Sequence, residues 1–371
     1  IFSTGSTIRG DKMNPVYYSD VVSHFMQSQH ETKITFEASD IHFKFRNGKL
    51  GLREINIKEE SGKLIGLMGA SGAGKSTLLN VLNGHDIPSQ GNVVINGIDI
   101  HKDVDKVEGV IGFVPQDDLL IEDLTVYQNL YYASKLCFDN LSEQELDALI
   151  ITALNNLGLS ETKDLKVGSP LEKTISGGQR KRLNIGLELL REPSVLFVDE
   201  PTSGLSSRDS ENIMDLLKEL SLKGKLIFVV IHQPSSDIFK MFDKLVILDV
   251  GGYQIYYGNP VEAVVYFKKM INMINSEKGE CISCGNINPE QIFNIIETKV
   301  VNEYGRFTNE RKISPIQYNT YFKEHSVIPS IVTSAVPPPS SLNIPNKLKQ
   351  MHIFSMRDIF SKLSNKQYLL I

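Results

Sequence analysis

The sequence predicts an α/β protein built round a mostly parallel sheet, and three observations predict it. Short apolar runs alternate with helical patterns from residue 34 to about residue 257, as strands joined by crossover helices do. One such run leads through a glycine-rich turn into a helical pattern. Another ends in two adjacent carboxylates, and the carboxyl ends of parallel strands are where such sheets bind ligands.

Taken in chain order, residues 1–33 are polar and carry no motif that can be interpreted, with a short helix expected around 17–26. Strands are expected at 64–68, 110–114, 195–198, 226–231 and 245–248. Between 118 and 175 the pattern turns helical. Residues 143–157 show it best, with Leu146, Leu149, Ile150, Leu154 and Leu157 at helical spacing. Residues 259–334 read as a mostly helical extension, and 335–345, with Pro337, Pro338 and Pro339 together, as a semi-rigid linker. In 346–371 the apolar residues Met356, Ile359, Phe360 and Leu363 lie among Lys347, Lys349, Arg357, Lys362 and Lys366, and apolar residues begin again at Tyr368. That is the pattern of a basic amphipathic connector lying before a membrane span. An ordinary surface helix is the other reading.

The chemistry begins at Gly69-Ala70-Ser71-Gly72-Ala73-Gly74-Lys75-Ser76-Thr77, in the strand, loop, helix order of a P-loop. Glycines let backbone N–H groups turn inward round phosphates, Lys75 adds a full positive charge, and the Ser76 hydroxyl can ligate Mg²⁺. Asp199 and Glu200 end the run 195–198. Beside a P-loop, Asp199 is placed to hold Mg²⁺ and Glu200 to polarise the water that attacks the terminal phosphate. Without the P-loop, two solvated acids would be the better reading.

Ser176-Gly177-Gly178-Gln179 opens a further helix. With the P-loop and the Asp-Glu pair in this order, residues 34–258 resemble the nucleotide-binding domain of ABC ATPases, with Ile175 where the family usually has Leu. The resemblance implies a P-loop NTPase cassette: a core parallel sheet, an antiparallel β subdomain and a helical subdomain at about 118–190. It implies ATP and Mg²⁺ as cofactors. Gln116 matches the glutamine that touches Mg²⁺ and relays nucleotide state, and His232 the histidine that contacts the γ-phosphate. Phe45 falls where the family stacks an aromatic on adenine, with Phe43 as its competitor. Gly69, Ser71, Gly72, Gly74, Lys75, Ser76 and Thr77 would bind ATP on one cassette, while Ser176, Gly178 and Gln179 would reach the ATP of a second copy. Glu200, His232, Gln116 and Lys75 are then the catalytic set, and Ser76, Gln116 and Asp199 the Mg²⁺ set. Ser206 stands where the family's Ser-Gly-Leu-Asp loop has its Asp.

Val114-Pro115-Gln116-Asp117-Asp118, Ile231-His232-Gln233-Pro234-Ser235 and Tyr257-Gly258-Asn259-Pro260 look like the White-type, or G, subfamily of half-transporters, in which the cassette precedes its membrane domain. Asn288-Pro289 resembles the Asn-Pro that follows the cassette there. The resemblance implies an ATPase at the cytoplasmic face of a membrane, working as a dimer of cassettes with a membrane domain encoded after Ile371. The chain starts with Ile and stops in an apolar stretch, and reads as a fragment. A net charge of −5 argues against non-specific nucleic-acid binding, and three cysteines are too few for a disulfide framework, which points to a reducing compartment. Cys281 and Cys284 form a lone C-x-x-C, read as two free thiols rather than a zinc site. Two other readings stay open: a soluble ABC-type ATPase not engaged in transport, and a nucleotide sensor without turnover, which Ser206 alone favours.

Overall fold

The computed structural model describes residues 33–169, 174–271, 279, 287–326 and 336–365, together with the backbone of 7–10 and 13–17. Two short strands, Thr7–Gly10 (β1) and Met13–Tyr17 (β2), pair antiparallel. Tyr17 thus ends a strand, and the rest of the helix expected at 17–26 lies outside the described residues, as do Cys281, Cys284 and the apolar residues from Tyr368.

One ten-stranded sheet carries the molecule. Its strands are Thr35–Lys44 (β3), Leu50–Glu60 (β4), Leu64–Gly69 (β5), Gln90–Ile95 (β6), Ile98–Asp99 (β7), Ile111–Val114 (β8), Val195–Asp199 (β9), Leu226–Val230 (β10), Lys244–Asp249 (β11) and Tyr253–Gly258 (β12), in the order β7-β6-β3-β4-β12-β11-β5-β10-β9-β8. From β8 to β11 all neighbours are parallel. There the strand interiors are apolar, β5 and β10 being buried at every residue, because helices cover both faces of a parallel sheet. At the other end β3, β4, β6 and β7 pair antiparallel. The five strands expected from apolar runs are all present, and the sheet divides into the parallel core and antiparallel part that the resemblance implied.

The helices are Lys75–Leu82 (α1), Val126–Cys137 (α2), Glu143–Asn156 (α3), Gly177–Leu189 (α4), Ser207–Leu222 (α5), Ser236–Met241 (α6), Pro260–Met270 (α7), Glu290–Ile296 (α8), Pro315–His325 (α9) and Lys347–Ser364 (α10). Helices α2 and α3 form the helical insert, packed round Leu130, Ile150 and Leu154. Capping boxes start both: Thr125 with Gln128, and Ser142 with Glu145, each satisfying two otherwise unpaired N–H groups. The extension holds helices α8 and α9 as expected, and between them a hairpin, Lys299–Val301 (β13) with Phe307–Arg311 (β14), that the sequence did not announce.

The proline-rich stretch is held against the cassette. Asn96 Nδ2 donates to Val336 O at 2.8 Å, Ser340 Oγ to Glu108 O at 2.7 Å and Ser341 Oγ to Arg191 O at 2.9 Å. It delivers α10 to the side of α2, where Ile353 is buried beside Leu124 and Tyr132. No helix among the described residues is long and apolar enough to cross a membrane.

Candidate active site

Four strand ends meet at one edge of the parallel sheet. The P-loop follows β5, Gln116 follows β8 by two residues, Asp199 ends β9, and His232 follows β10 by two. Gly74 caps α1 with φ 100°, a left-handed conformation that suits glycine. No side chain caps that helix end, so its first N–H groups face outward with the positive end of the helix dipole. Lys75 Nζ donates to Gly69 O at 2.9 Å and Ala70 O at 3.2 Å. Burial pushes its ammonium down from the ordinary lysine value, against the opposing pull of Glu200 and Asp199. Ser71, Gly72 and Ser76 are exposed, and Thr77 is half-buried.

Asp199 is the group least at ease here. Burial, and then the charge of Glu200, hold its carboxyl above the usual range, with Lys181 and Lys75 pulling it back. Its Oδ1 is buried with no hydrogen-bond partner. Glu200 next to it has φ 42°, and its Oε2 accepts from Gln116 Nε2 at 3.1 Å. Gln233, beside His232, has φ 45°. Holding a non-glycine residue there costs ~1–2 kcal/mol, and such strain gathers at functional sites.

Phe45 lies past the end of β3 in the hairpin turn, 40% exposed, edge-on to the half-buried Phe43 at 5.2 Å. A side chain on Gly51 would meet the Phe45 ring at 2.6 Å, and one on Gly74 would meet Gly51 O at 3.0 Å. The hairpin therefore lies directly against the P-loop end of α1. Of the two aromatics, Phe45 is the more exposed.

Ser176 caps α4: its side chain accepts from Gln179 N at 3.1 Å, while Gln179 Oε1 accepts from Ser176 N at 2.7 Å. The turn packs against the next loop, where a side chain on Gly177 would meet Leu205 at 3.1 Å and one on Gly178 would meet Asp209 at 2.5 Å. Ser206 caps α5 in turn, accepting from Asp209 N at 3.1 Å and donating to Asp209 Oδ2 at 2.9 Å. Serine is as good an N-cap as aspartate, and Ser206 starts α5 with that cap.

Two groups of residues were missed. The first is a row on α4: Arg180, Lys181, Asn184 and Glu188 all reach back to 113–119 or its flank. Their helical spacing was visible, but their partners are mainly backbone groups, which leave no trace in sequence. The second is the extension, whose Glu290, Asn294 and Glu297 share a cavity of about 240 Å³ with Ala70, Ser71 and His232. Among the described residues no group of three or more His, Cys, Asp or Glu could hold a metal ion by itself.

Residues 52–203 match the ABC transporter family model, and 232–328 match a model described as ABC-2 type transporter. The chain carries an ABC transporter cassette. It is 36% identical over 257 residues to the ABC-type transporter claG of Penicillium crustosum, covering 67% of this chain and 34% of that one. It is 36% identical over 250 residues to ABC transporter G family member 28 of Arabidopsis thaliana, covering 66% and 22%. The chain thus spans about a third of one of these relatives and about a fifth of the other. Among solved structures, cbiO1 from Clostridium perfringens, part of the ABC transporter complex cbiONQ, superposes with a TM-score of 0.54 at 28% identity, covering 64% of this chain and 92% of that one. ATPase activity is typical of the matched family.

Proposed function

We propose that this cassette binds MgATP between two copies of itself and hydrolyses it to drive a membrane domain on the same polypeptide, as the motor of a G-type half-transporter working at the cytoplasmic face. The observation that carries the reading is the meeting, at one sheet edge, of Lys75, the partnerless Asp199 oxygen and a Glu200 already bonded to Gln116. The phosphates lie in the P-loop against Gly69, Ser71, Gly72 and Gly74, with Lys75, Ser76 and Thr77 opening the helix beneath them. Phe45 stacks on adenine.

A buried carboxylate oxygen without a donor suits a divalent cation, and Ser76 and the Gln116 side-chain oxygen complete the set. When bound, Mg²⁺ neutralises phosphate charge. Glu200 accepts the proton of the attacking water, Gln116 and His232 orient it, and Lys75 offsets the charge developing on the phosphate. Ser176, Gly178 and Gln179 close over the ATP of the partner copy through the exposed N-terminus of α4. Transport is supported by the ABC-2 match and the G-family relatives; the basic α10 belongs to the path toward the membrane.

The test is Glu200→Gln in the purified chain, followed by phosphate release and light scattering. Turnover should fall about 100-fold or more, as loss of a general base does, while MgATP holds a dimer that the parent forms only in passing. Turnover within twofold of the parent would remove Glu200 from the role of base.

A further inference from the structure

Along its length α4 carries a row of polar side chains that holds the end of β8 and the first residues of the loop after it, 113–119. Arg180 Nε and Nη2 donate to the two carboxylate oxygens of Asp118, both at 3.0 Å, and Nη1 donates to Gly168 O. Lys181 Nζ donates to Pro115 O at 3.2 Å and to Gln116 O at 2.8 Å. Asn184 Oδ1 accepts from Leu119 N, and Glu188 Oε2 from Phe113 N, each at 3.3 Å. Positions 180, 181, 184 and 188 share one helix face.

Lys181 is the unusual member. It is 8% exposed, and among the described residues no carboxylate lies within ion-pair distance of it. Burial pushes its ammonium down from the ordinary lysine value, with Asp118 and then Asp199 opposing. A buried cation hydrogen-bonded only to carbonyls, with its nearest carboxylates beyond ion-pair distance, is costly, and an apolar chain of the same length would fill the space without that cost. What the ammonium adds is a hold on the Gln116 backbone, while the Gln116 side chain holds Glu200.

We propose that Lys181 is a positioning residue for hydrolysis: by suspending residues 115 and 116 from the helix that Ser176 caps, it makes the placing of Gln116 and Glu200 depend on how α4 is seated. The proposal rests on the hydrolytic reading above. It sets the attacking water's environment in one copy according to whether that copy's own Ser176 turn has closed on its partner's ATP, so that neither site fires while the dimer is open.

The experiment compares Lys181→Met, Lys181→Arg and the parent chain by steady-state hydrolysis and by amide hydrogen exchange. Lys181→Met should lose about tenfold or more in kcat with KM for ATP within about twofold, the signature of lost alignment rather than lost binding. The Leu119 amide should exchange about tenfold faster, and Lys181→Arg, which can still bridge two carbonyls, should restore most of both. A kcat within twofold of the parent in Lys181→Met overturns the proposal, as does a rise in KM at unchanged kcat. Should Lys181→Met fail to fold, Lys181→Gln, which keeps a donor without the charge, takes its place with the same expectations for Leu119 and an intermediate kcat. Hydrolysis absent from the parent itself would sink the hydrolytic reading instead, and the exchange rate at Leu119 would then decide the loop's suspension on its own, unchanged exchange overturning it.

Discussion

Asp199 has one oxygen buried without a donor and a carboxyl held above its ordinary range, first by burial and then by Glu200. Because the folded value exceeds the unfolded one, the native chain binds more protons between the two, and stability falls as pH rises through that window from about 4 upward. The cost is fully present once the pH lies above the folded value. Asp199→Asn should therefore stabilise the chain while abolishing Mg²⁺-dependent turnover. The amide still leaves an oxygen unpaired, so the gain comes only from removing a charge held in a partly desolvated place; a gain of ~1 kcal/mol reads as a melting temperature higher by about 2–4 °C for a domain of this size. The gain should shrink as the pH is lowered toward 4. A variant less stable than the parent at pH 7 would mean that the carboxylate already has a partner.

At the scale of elements, the loop between β9 and α5 hangs on its cap. Ser206 accepts from Asp209 N and donates to Asp209 Oδ2, and Asp209 is the floor on which Gly178 rests. Ser206→Ala should cost about 1 kcal/mol through the lost cap, seen as a lower urea midpoint at unchanged slope. Turnover should fall as well, because a freed Asp209 no longer seats the Ser176 turn; unaltered turnover at the lower midpoint would confine Ser206 to stability. The core strands were legible because continuous apolar runs such as 195–198 and 226–230 have few other places to go in a chain of this length. The β13–β14 hairpin was not: Lys299–Val301 is exposed throughout and Phe307–Arg311 is mostly exposed, so no face is buried and no alternation is written. The P-loop and the Asp-Glu pair were legible because their chemistry requires fixed residue types. Lys181 was not, since its partners are carbonyls 65 and 66 positions away, to which any residues would have contributed. That Phe45 is more exposed than Phe43 follows from the end of β3 at Lys44, a boundary that sequence places within a few residues at best.

For the molecule as a whole, the extension after α7 behaves as part of the cassette's core. Tyr318 of α9 is 1% exposed within the same apolar cluster as Leu64 and Val229, and Asn319 Nδ2 donates to Gln254 O at 2.7 Å. The deciding contact is polar. Arg311, at the end of β14, donates from Nη1 at 2.7 Å to Oδ1 of Asp249, whose side chain is fully buried at the end of β11. Oδ1 also accepts from Val250 N, while Oδ2 has no partner. Leu248, the residue before, brings its carbonyl to 2.5 Å from where a Gly69 side chain would stand, so the pair lies one residue from the entrance to the P-loop. Arg311→Leu should cost ~3–5 kcal/mol, the price of stranding a buried charge. Asp249→Asn with Arg311→Leu should recover most of that, because the amide oxygen still serves Val250 N and no charge is left behind. If the extension is integral, Arg311→Leu and the parent should each melt in one transition followed equally by probes on Tyr318 and on the P-loop. A loss below about 1 kcal/mol, or an early transition confined to 287–325, would show that the extension is a separable appendage and that Asp249 finds its counter-charge elsewhere. A single transition displaced by the full amount ties the extension's folding to the strand that feeds the phosphate loop, and makes the ABC-2-matched segment part of the motor.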